Sequence, residues 1–201
     1  MSDANDASIR RDRLRRSFEA SVAVKLATLD ACGDTIALAA DLLIETLRGR
    51  GQVLAFGNGG SASDAQHFAT ELAGRFDRDR PALPALALTA NSSDLTAIGN
   101  DYGFAQVFVR LIQAHGRPGD LAVGISTSGN SPNVLEAVSE ARARGLRSVA
   151  LIGKGGGKLA GMVDVPIVVP SDVTARIQEA HITILHVLCE LVDDALFPES
   201  R

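Results

Sequence analysis

The stretch Leu121-Ala-Val-Gly-Ile-Ser-Thr-Ser-Gly-Asn-Ser131 decides how the chain is built. Its first five residues are an apolar run, its next six are small and mostly hydroxyl-bearing, and a helical pattern starts just beyond, near Pro132. A strand therefore ends, the chain turns, and a helix begins among serines. Such a turn aims backbone N–H groups and hydroxyls at one point, where the positive end of the helix dipole adds to the field. Ser and Asn also favour helix starts as simple caps. One cap needs one such residue, and Ser126, Thr127, Ser128, Asn130 and Ser131 supply five, so the turn reads as a cradle for a compact anion such as a phosphate.

The same strand-to-helix rhythm extends in both directions. Upstream, Gln52 to Phe56 reads as a short buried strand, and Gly57-Asn58-Gly59-Gly60-Ser61 turns it into a helix from about Ser63 to Gly74. Pro84 to Leu88 is a second strand, followed by helical patterns around Leu95 to Ile98 and Phe104 to Ala114. Downstream of the serine turn come a helix over Asn133 to Ala143, a strand over Ser148 to Ile152, a glycine turn at Gly155-Gly156-Gly157 with a short helix, and a strand over Val165 to Val169. A long amphipathic helix over Thr174 to Leu196 follows. At the front, residues 7 to 31 read as one helix, with Leu14, Phe18, Val22 and Leu26 at helical spacing. Asp34 reads as the cap of a second helix that stops near Gly51.

The strands are continuous apolar runs alternating with helices. That argues an α/β fold with a parallel sheet covered on both faces. Ligands of such sheets bind beyond the carboxyl ends of the strands, where both the Gly57 turn and the Ser126 turn fall. The expectation is a single domain over residues 1–201, with a helical segment at 1–50 and an α/β core at 51–198.

Composition narrows the function classes. A net charge of −4 offers no long-range attraction for nucleic acid or anionic lipid. The cluster Arg10, Arg11, Arg13, Arg15 and Arg16 reads as a solvated helix face, offset by acidic residues along the chain. No apolar run is long enough for a bilayer, and MSDANDAS lacks a signal-peptide core, so no membrane role and a cytoplasmic location are expected. Cys32 and Cys189 fit no metal or redox spacing. The Gly57 turn lacks the lysine of a nucleotide P-loop and the spacing of a dinucleotide fingerprint, so no nucleotide or redox cofactor is expected.

Candidate chemistry lies on two helices. His67 and Glu71, four apart, share one face and could bind a metal or place a base, although such a pair is commonly just a solvated surface. On the last helix Gln178 and His186 project within about 80° of each other, whereas His181 and His186 differ by about 140° and cannot both serve one site. His186 lies among Ile182, Ile184, Leu185, Val187 and Leu188, and by spacing alone it reads as a core residue. Arg75, Asn100, Asp101 and Arg176 stand near the expected binding edge, with surface ion pairing as the plainer reading.

Five stretches taken together, GNGGSASDAQHFATELAGRF, AIGNDYGF, GISTSGNSPNV, GKGGGKLAG and RIQEAHITILH, resemble the sedoheptulose 7-phosphate (phosphoheptose) isomerases of the sugar-isomerase (SIS) domain family. The resemblance runs from about residue 20 to residue 198. It implies a five-stranded parallel sheet flanked by helices, a flavodoxin-like three-layer sandwich, and a homotetramer in which the N-terminal helices assemble and active sites form where subunits meet. It implies the conversion of D-sedoheptulose 7-phosphate to D-glycero-D-manno-heptose 7-phosphate, the first step toward nucleotide-activated heptose for the lipopolysaccharide core. Residue by residue, it implies Glu71 as catalytic base and His186 as its partner acid/base. Substrate contacts fall on Asn58, Gly59, Gly60, Ser61, Arg75, Asn100, Asp101, Ser126, Thr127, Ser128, Ser131 and Gln178. Zinc ligands fall on His67, Glu71, Gln178 and His186. Thr70 departs from the pattern, since many members carry a second glutamate beside the base.

The chemistry implied is proton transfer between neighbouring carbons through an enediol. It needs a carboxylate near the carbons and an acid near the oxygens, for which an imidazole is suited. The replication-initiator-associating proteins of bacteria share the fold, and the ending from Cys189 to Pro198 resembles theirs. Their sequences usually lack the groups at Glu71 and His186, which favours the isomerase.

Overall fold

A computed structural model describes residues 2–198, with side chains from residue 6. Met1 and residues 199–201, which the single-domain expectation includes, lie outside the described residues. Five parallel strands, β1 (Val53–Gly57), β2 (Ala85–Ala87), β3 (Leu121–Ser126), β4 (Arg147–Ile152) and β5 (Val165–Val168), pair in the order β2-β1-β3-β4-β5. The order reverses between β1 and β3, which places the topological switch point between these strands. Gly57 pairs with Ile125 at their carboxyl ends, so the Gly57 and Ser126 turns emerge side by side at that crevice.

Successive side chains on a strand face opposite sides, and here both sides are buried. Val53, Ala55, Val123 and Ile125 face one core with α1 (Ser2–Arg48), α2 (Gly60–Ala73) and α6 (Thr174–Leu196). Leu54, Phe56, Ala122, Ala150 and Ile152 face a second core with α3 (Ser92–Tyr102), α4 (Val107–His115) and α5 (Pro132–Ala143). These are the three expected layers. Short 3-10 turns at Phe104–Gln106, Lys154–Gly156 and Leu159–Gly161 complete the connections.

One element differs from its expectation. The front of the chain is a single helix of 47 residues, not two helices separated at Gly33-Asp34. A glycine inside a helix costs about 1 kcal/mol relative to alanine, and packing overrides it. Cys32 is buried with its Sγ 3.2 Å from the carbonyl oxygen of Val168, and Ala39, Ala40 and Leu43 continue the same buried face. The small residues at 31–33 let the helix cross close to β5 without a break. The first six turns lie beyond this contact, and there Ile9, Leu14, Phe18 and Val22 are exposed, Phe18 by 74%.

Among the described residues no helix is long and apolar enough to cross a membrane.

Candidate active site

The serine turn at the switch point is locked to the Gly155–Gly157 turn by backbone and amide contacts, and the Gly57 turn is tied to α5 by an amide pair. Gly129 has φ +63°, and a Cβ there would fall 2.1 Å from the carbonyl oxygen of Gly156, so only glycine lets the serine turn lie against the Gly155–Gly157 turn. Leu159 N–H donates to Gly129 O at 3.0 Å, and Lys158 N–H donates to Asn130 Oδ1 at 3.1 Å. Within the turn, Ser126 Oγ and Ser131 Oγ lie 3.1 Å apart, and Asn130 N–H donates to Ser128 Oγ at 3.2 Å. Thr127 and Ser128 are half-buried at the crevice, and Ser131 stands directly before α5.

Asn58 and Asn133 exchange two amide hydrogen bonds of 2.8 Å, tying the Gly57 turn to the first turn of α5. Asn133 is buried, and sequence reasoning did not single it out. Its signal was faint, one polar residue among the first residues of a helix. Ser61 is also buried, packed beneath Gly57, where a Cβ would come within 2.9 Å of Ser61 Cβ. Gly59 has φ +56° and begins α2 with an open face. A Cβ on Gly60 would fall 2.3 Å from Gln178 Nε2, so the Gln178 amide lies directly over the start of α2.

Further along α2, His67 and Glu71 meet His186 from α6. His67 Nε2 lies 2.9 Å from Glu71 Oε1 and 3.4 Å from His186 Nε2. The His186 ring stands edge-on to His67 at 5.1 Å and is tilted against Phe76 at 5.5 Å. The reading of His186 as a core residue is therefore corrected. The buried histidine of α6 is His181, 0% exposed, which falls on the face of α6 that packs on the sheet with Ile177, Ala180, Ile184 and Leu188. His181 Nε2–H donates to Ile152 O at 3.2 Å, Nδ1 has no partner, and burial pulls the imidazole down to about 4. His186 lies on the flank of the same helix that faces α2.

The three ligand atoms of His67, Glu71 and His186 all lie within 4.8 Å of one another. A tetrahedral ion with bonds of about 2.0–2.2 Å sets its donors roughly 3.3 Å apart, and two imidazole nitrogens with a carboxylate oxygen are a zinc-type donor set. These residues fit such an ion. Gln178, expected as a fourth ligand, sits with the glycine turn, about two helical turns from His67 along α2.

Two carboxylates missed by sequence reasoning lie on the same two helices. Asp64 lies one turn before His67, with its Oδ2 buried and unpartnered. Burial pushes its carboxyl up, opposed by the nearby His67. Asp193 lies two turns beyond His186. Cys189, between them, is pushed up to about 12 by burial, with the charges of Glu71 and Asp193 adding to it, so it is an inert thiol rather than a nucleophile.

The remaining expected contacts have partners of their own within one chain. Arg75 is exposed just past α2, with its Nη1 3.4 Å from Asp77 O. Asn100 donates to Asp101 at 2.8 Å on the last turn of α3, in the opposite layer. Arg176 is taken up structurally, donating to Ser17 O at 2.7 Å and pairing with Glu179. Among the described residues, the structure thus gathers the serine turn with Asn58, Gly59, Gly60, Ser61 and Gln178 at the sheet edge. It gathers His67, Glu71 and His186 between α2 and α6.

Comparison with known proteins adds to this geometry. A family model described as the SIS domain matches residues 17–153. A phosphoheptose isomerase of Shewanella loihica is 48% identical over 192 residues, covering 94% of this chain and 98% of that protein. The solved structure of the phosphoheptose isomerase from Neisseria gonorrhoeae is similar with a TM-score of 0.87 at 46% identity, over 92% of this chain and 98% of that one. That of a phosphoheptose isomerase from Francisella tularensis gives 0.88 at 41% identity, over the same shares.

Proposed function

Because the chain belongs to the phosphoheptose isomerase family of SIS-domain proteins, we propose that it interconverts D-sedoheptulose 7-phosphate and D-glycero-D-manno-heptose 7-phosphate. The observation that carries the mechanism is the convergence of Glu71 and His186 from two helices onto one point.

One oxygen of Glu71 is engaged by His67, and the carboxylate has a second. That oxygen takes the proton from the carbon beside the carbonyl and returns it to the neighbouring carbon, so the carbonyl moves between C1 and C2 without any external electron donor. His186 moves the matching proton between the two oxygens as the enediol forms and collapses. The serine turn and Ser61 hold the phosphate through hydroxyls and the N-terminus of α5, with Asn58, Gly59, Gly60 and Gln178 along the sugar. Binding energy gained at the phosphate orients carbons that the phosphate never touches. Zinc held by His67, Glu71 and His186 supplies Lewis-acid polarisation of the carbonyl oxygen when bound.

The chain acts as a homotetramer with active sites shared between subunits. Two features support this. The exposed apolar stripe Ile9, Leu14, Phe18, Val22, Leu26 and Leu29 on α1 is the kind of surface a second copy covers. Asn100 and Asp101 stand on α3, in the layer opposite to that of Glu71, so a neighbour would have to bring them to a common sugar. The setting is the cytoplasm, at the first step toward nucleotide-activated heptose for surface polysaccharide, with the whole chain as one domain. The two free cysteines, both buried, accord with that compartment.

The test is incubation of the purified chain with sedoheptulose 7-phosphate. A heptose phosphate product is expected, and metal analysis of the same sample reads the zinc. No product under zinc-replete conditions overturns the reading.

A further inference from the structure

The run Asp77-Arg78-Asp79-Arg80 is charged throughout, yet Arg80 is among the most deeply buried charged groups of the described residues. Its side chain is 1% exposed and that of its partner Asp193 is 2% exposed. Arg80 Nε–H donates to Asp193 Oδ1 at 2.7 Å. Its Nη1 donates to Leu72 O at 2.8 Å and to Pro81 O at 3.2 Å, and its Nη2 donates to Glu71 O at 2.8 Å. The guanidinium lies 5.8 Å from the centre of the Phe197 ring.

The carbonyls in the last turn of a helix have no donors within the helix. In α2, Thr70 O accepts from Gly74 N–H, Glu71 O accepts from Arg80, and Leu72 O accepts from both Arg80 and Leu83 N–H. One end of the guanidinium therefore holds the backbone of Glu71 itself. The other end holds Asp193, which follows His186 by two helical turns on the same stripe of α6. The clamp joins the residue that carries the carboxylate to the helix that carries the imidazole. Asp193 Oδ2 is buried without a partner, so the pair is not an optimised source of stability. Buried ion pairs are in general replaceable by apolar packing when stability alone is at stake.

We infer that Arg80, anchored by Asp193, is a positioning residue for the isomerisation, setting the distance and angle between Glu71 and His186. This rests on the isomerase reading. Neither residue touches the serine turn, and that separation gives the inference its signature: proton transfer suffers while phosphate recognition does not. A displacement of 1 Å between reacting groups can cost about 100-fold in rate.

The experiment compares Arg80→Lys and Asp193→Asn with the wild-type chain, each checked for folding by circular dichroism and then assayed with sedoheptulose 7-phosphate. Lysine keeps the charge but lacks the planar fork that grips Asp193 and two successive carbonyls together. Arg80→Lys is expected to lower kcat about 10- to 100-fold with KM within about threefold of wild type. Asp193→Asn, which keeps an acceptor of the same shape, is expected to lower kcat about three- to tenfold. A kcat within twofold of wild type in a folded variant, or kcat falling only in proportion to the folded fraction, overturns the inference. If Arg80→Lys does not fold, Asp193→Asn decides by the same criteria. A wild-type chain without turnover counts against the isomerase reading instead. The clamp is then read from zinc affinity by competition with a chromophoric chelator, which Arg80→Lys should weaken about tenfold and which, if unchanged, overturns it.

Discussion

The serine turn and the His67–Glu71–His186 group are held together by different means. The turn is local: six successive residues, braced by a glycine at φ +63° and by backbone bonds to the neighbouring glycine turn. The His–Glu–His group is remote: His67 and His186 are 119 positions apart and meet only because α2 and α6 pack side by side on one face of the sheet. A site made of backbone is set once the sheet edge has formed. A site made of side chains on two helices is only as well placed as those helices are relative to each other. On the proposed function this amounts to a division of labour, with recognition at the carboxyl end of the sheet and proton transfer between two helices.

The strongest way to break that division is Glu71→Gln. The amide is nearly isosteric but cannot accept the proton, so turnover should fall about 1,000-fold or more while circular dichroism and sugar-phosphate binding stay close to wild type. Near-normal turnover in steady-state assays would remove the base assignment and leave the helix pair without a role.

Acid titration of stability sharpens the comparison, because His181 ties α6 to the end of β4 at Ile152 O. The folded imidazole is lowered to about 4 from an ordinary 6.5, so below pH 6.5 the unfolded chain binds the extra proton first. The stability tied to the neutral ring is therefore complete above about pH 6.5 and is lost as pH falls toward 4. The contribution is at most about 3 kcal/mol. Denaturant midpoints between pH 7 and pH 4.5 should fall for the wild type and fall less for His181→Gln. Parallel curves would show that His181 is not the group concerned.

A smaller effect is expected at the edge. Ser128→Ala removes one hydroxyl and the acceptor for Asn130 N–H. It should raise KM for the phosphorylated sugar about tenfold, the worth of one hydrogen bond to a charged group, with kcat nearly unchanged. A lowered kcat with unaltered KM would mean that the turn and the helix pair are not separate in function.

The contrast also explains what the sequence disclosed. The helix over Thr174 to Leu196 was legible to its ends, and β3 and α5 to within one residue, because their periodicity and punctuation are local. The serine turn was legible for the same reason. The break expected at Gly33-Asp34 was not found, because contact of Cys32 with β5 outweighs a glycine's local preference. Spacing alone read His186 as the core histidine, a place that His181 takes, since the face of a helix that meets the sheet is decided by its neighbours and both faces here carry apolar residues. Only the resemblance across five motifs pointed to His186. Arg80, Asp193, Asn133 and Asp64 left no distinct mark, since their pairing or isolation depends on segments distant in the chain.

The unbroken α1 has a further consequence. At 47 residues it is about 70 Å long, and its first six turns carry their apolar side chains beyond the chain's own core. A lone helix of that kind gains little from local propensity. In the proposed homotetramer its order would come from other copies through mass action, so the apparent melting temperature should climb as the protein is concentrated and drop on dilution. A melting temperature indifferent to concentration from nanomolar to micromolar would mean that this arm stands unaided.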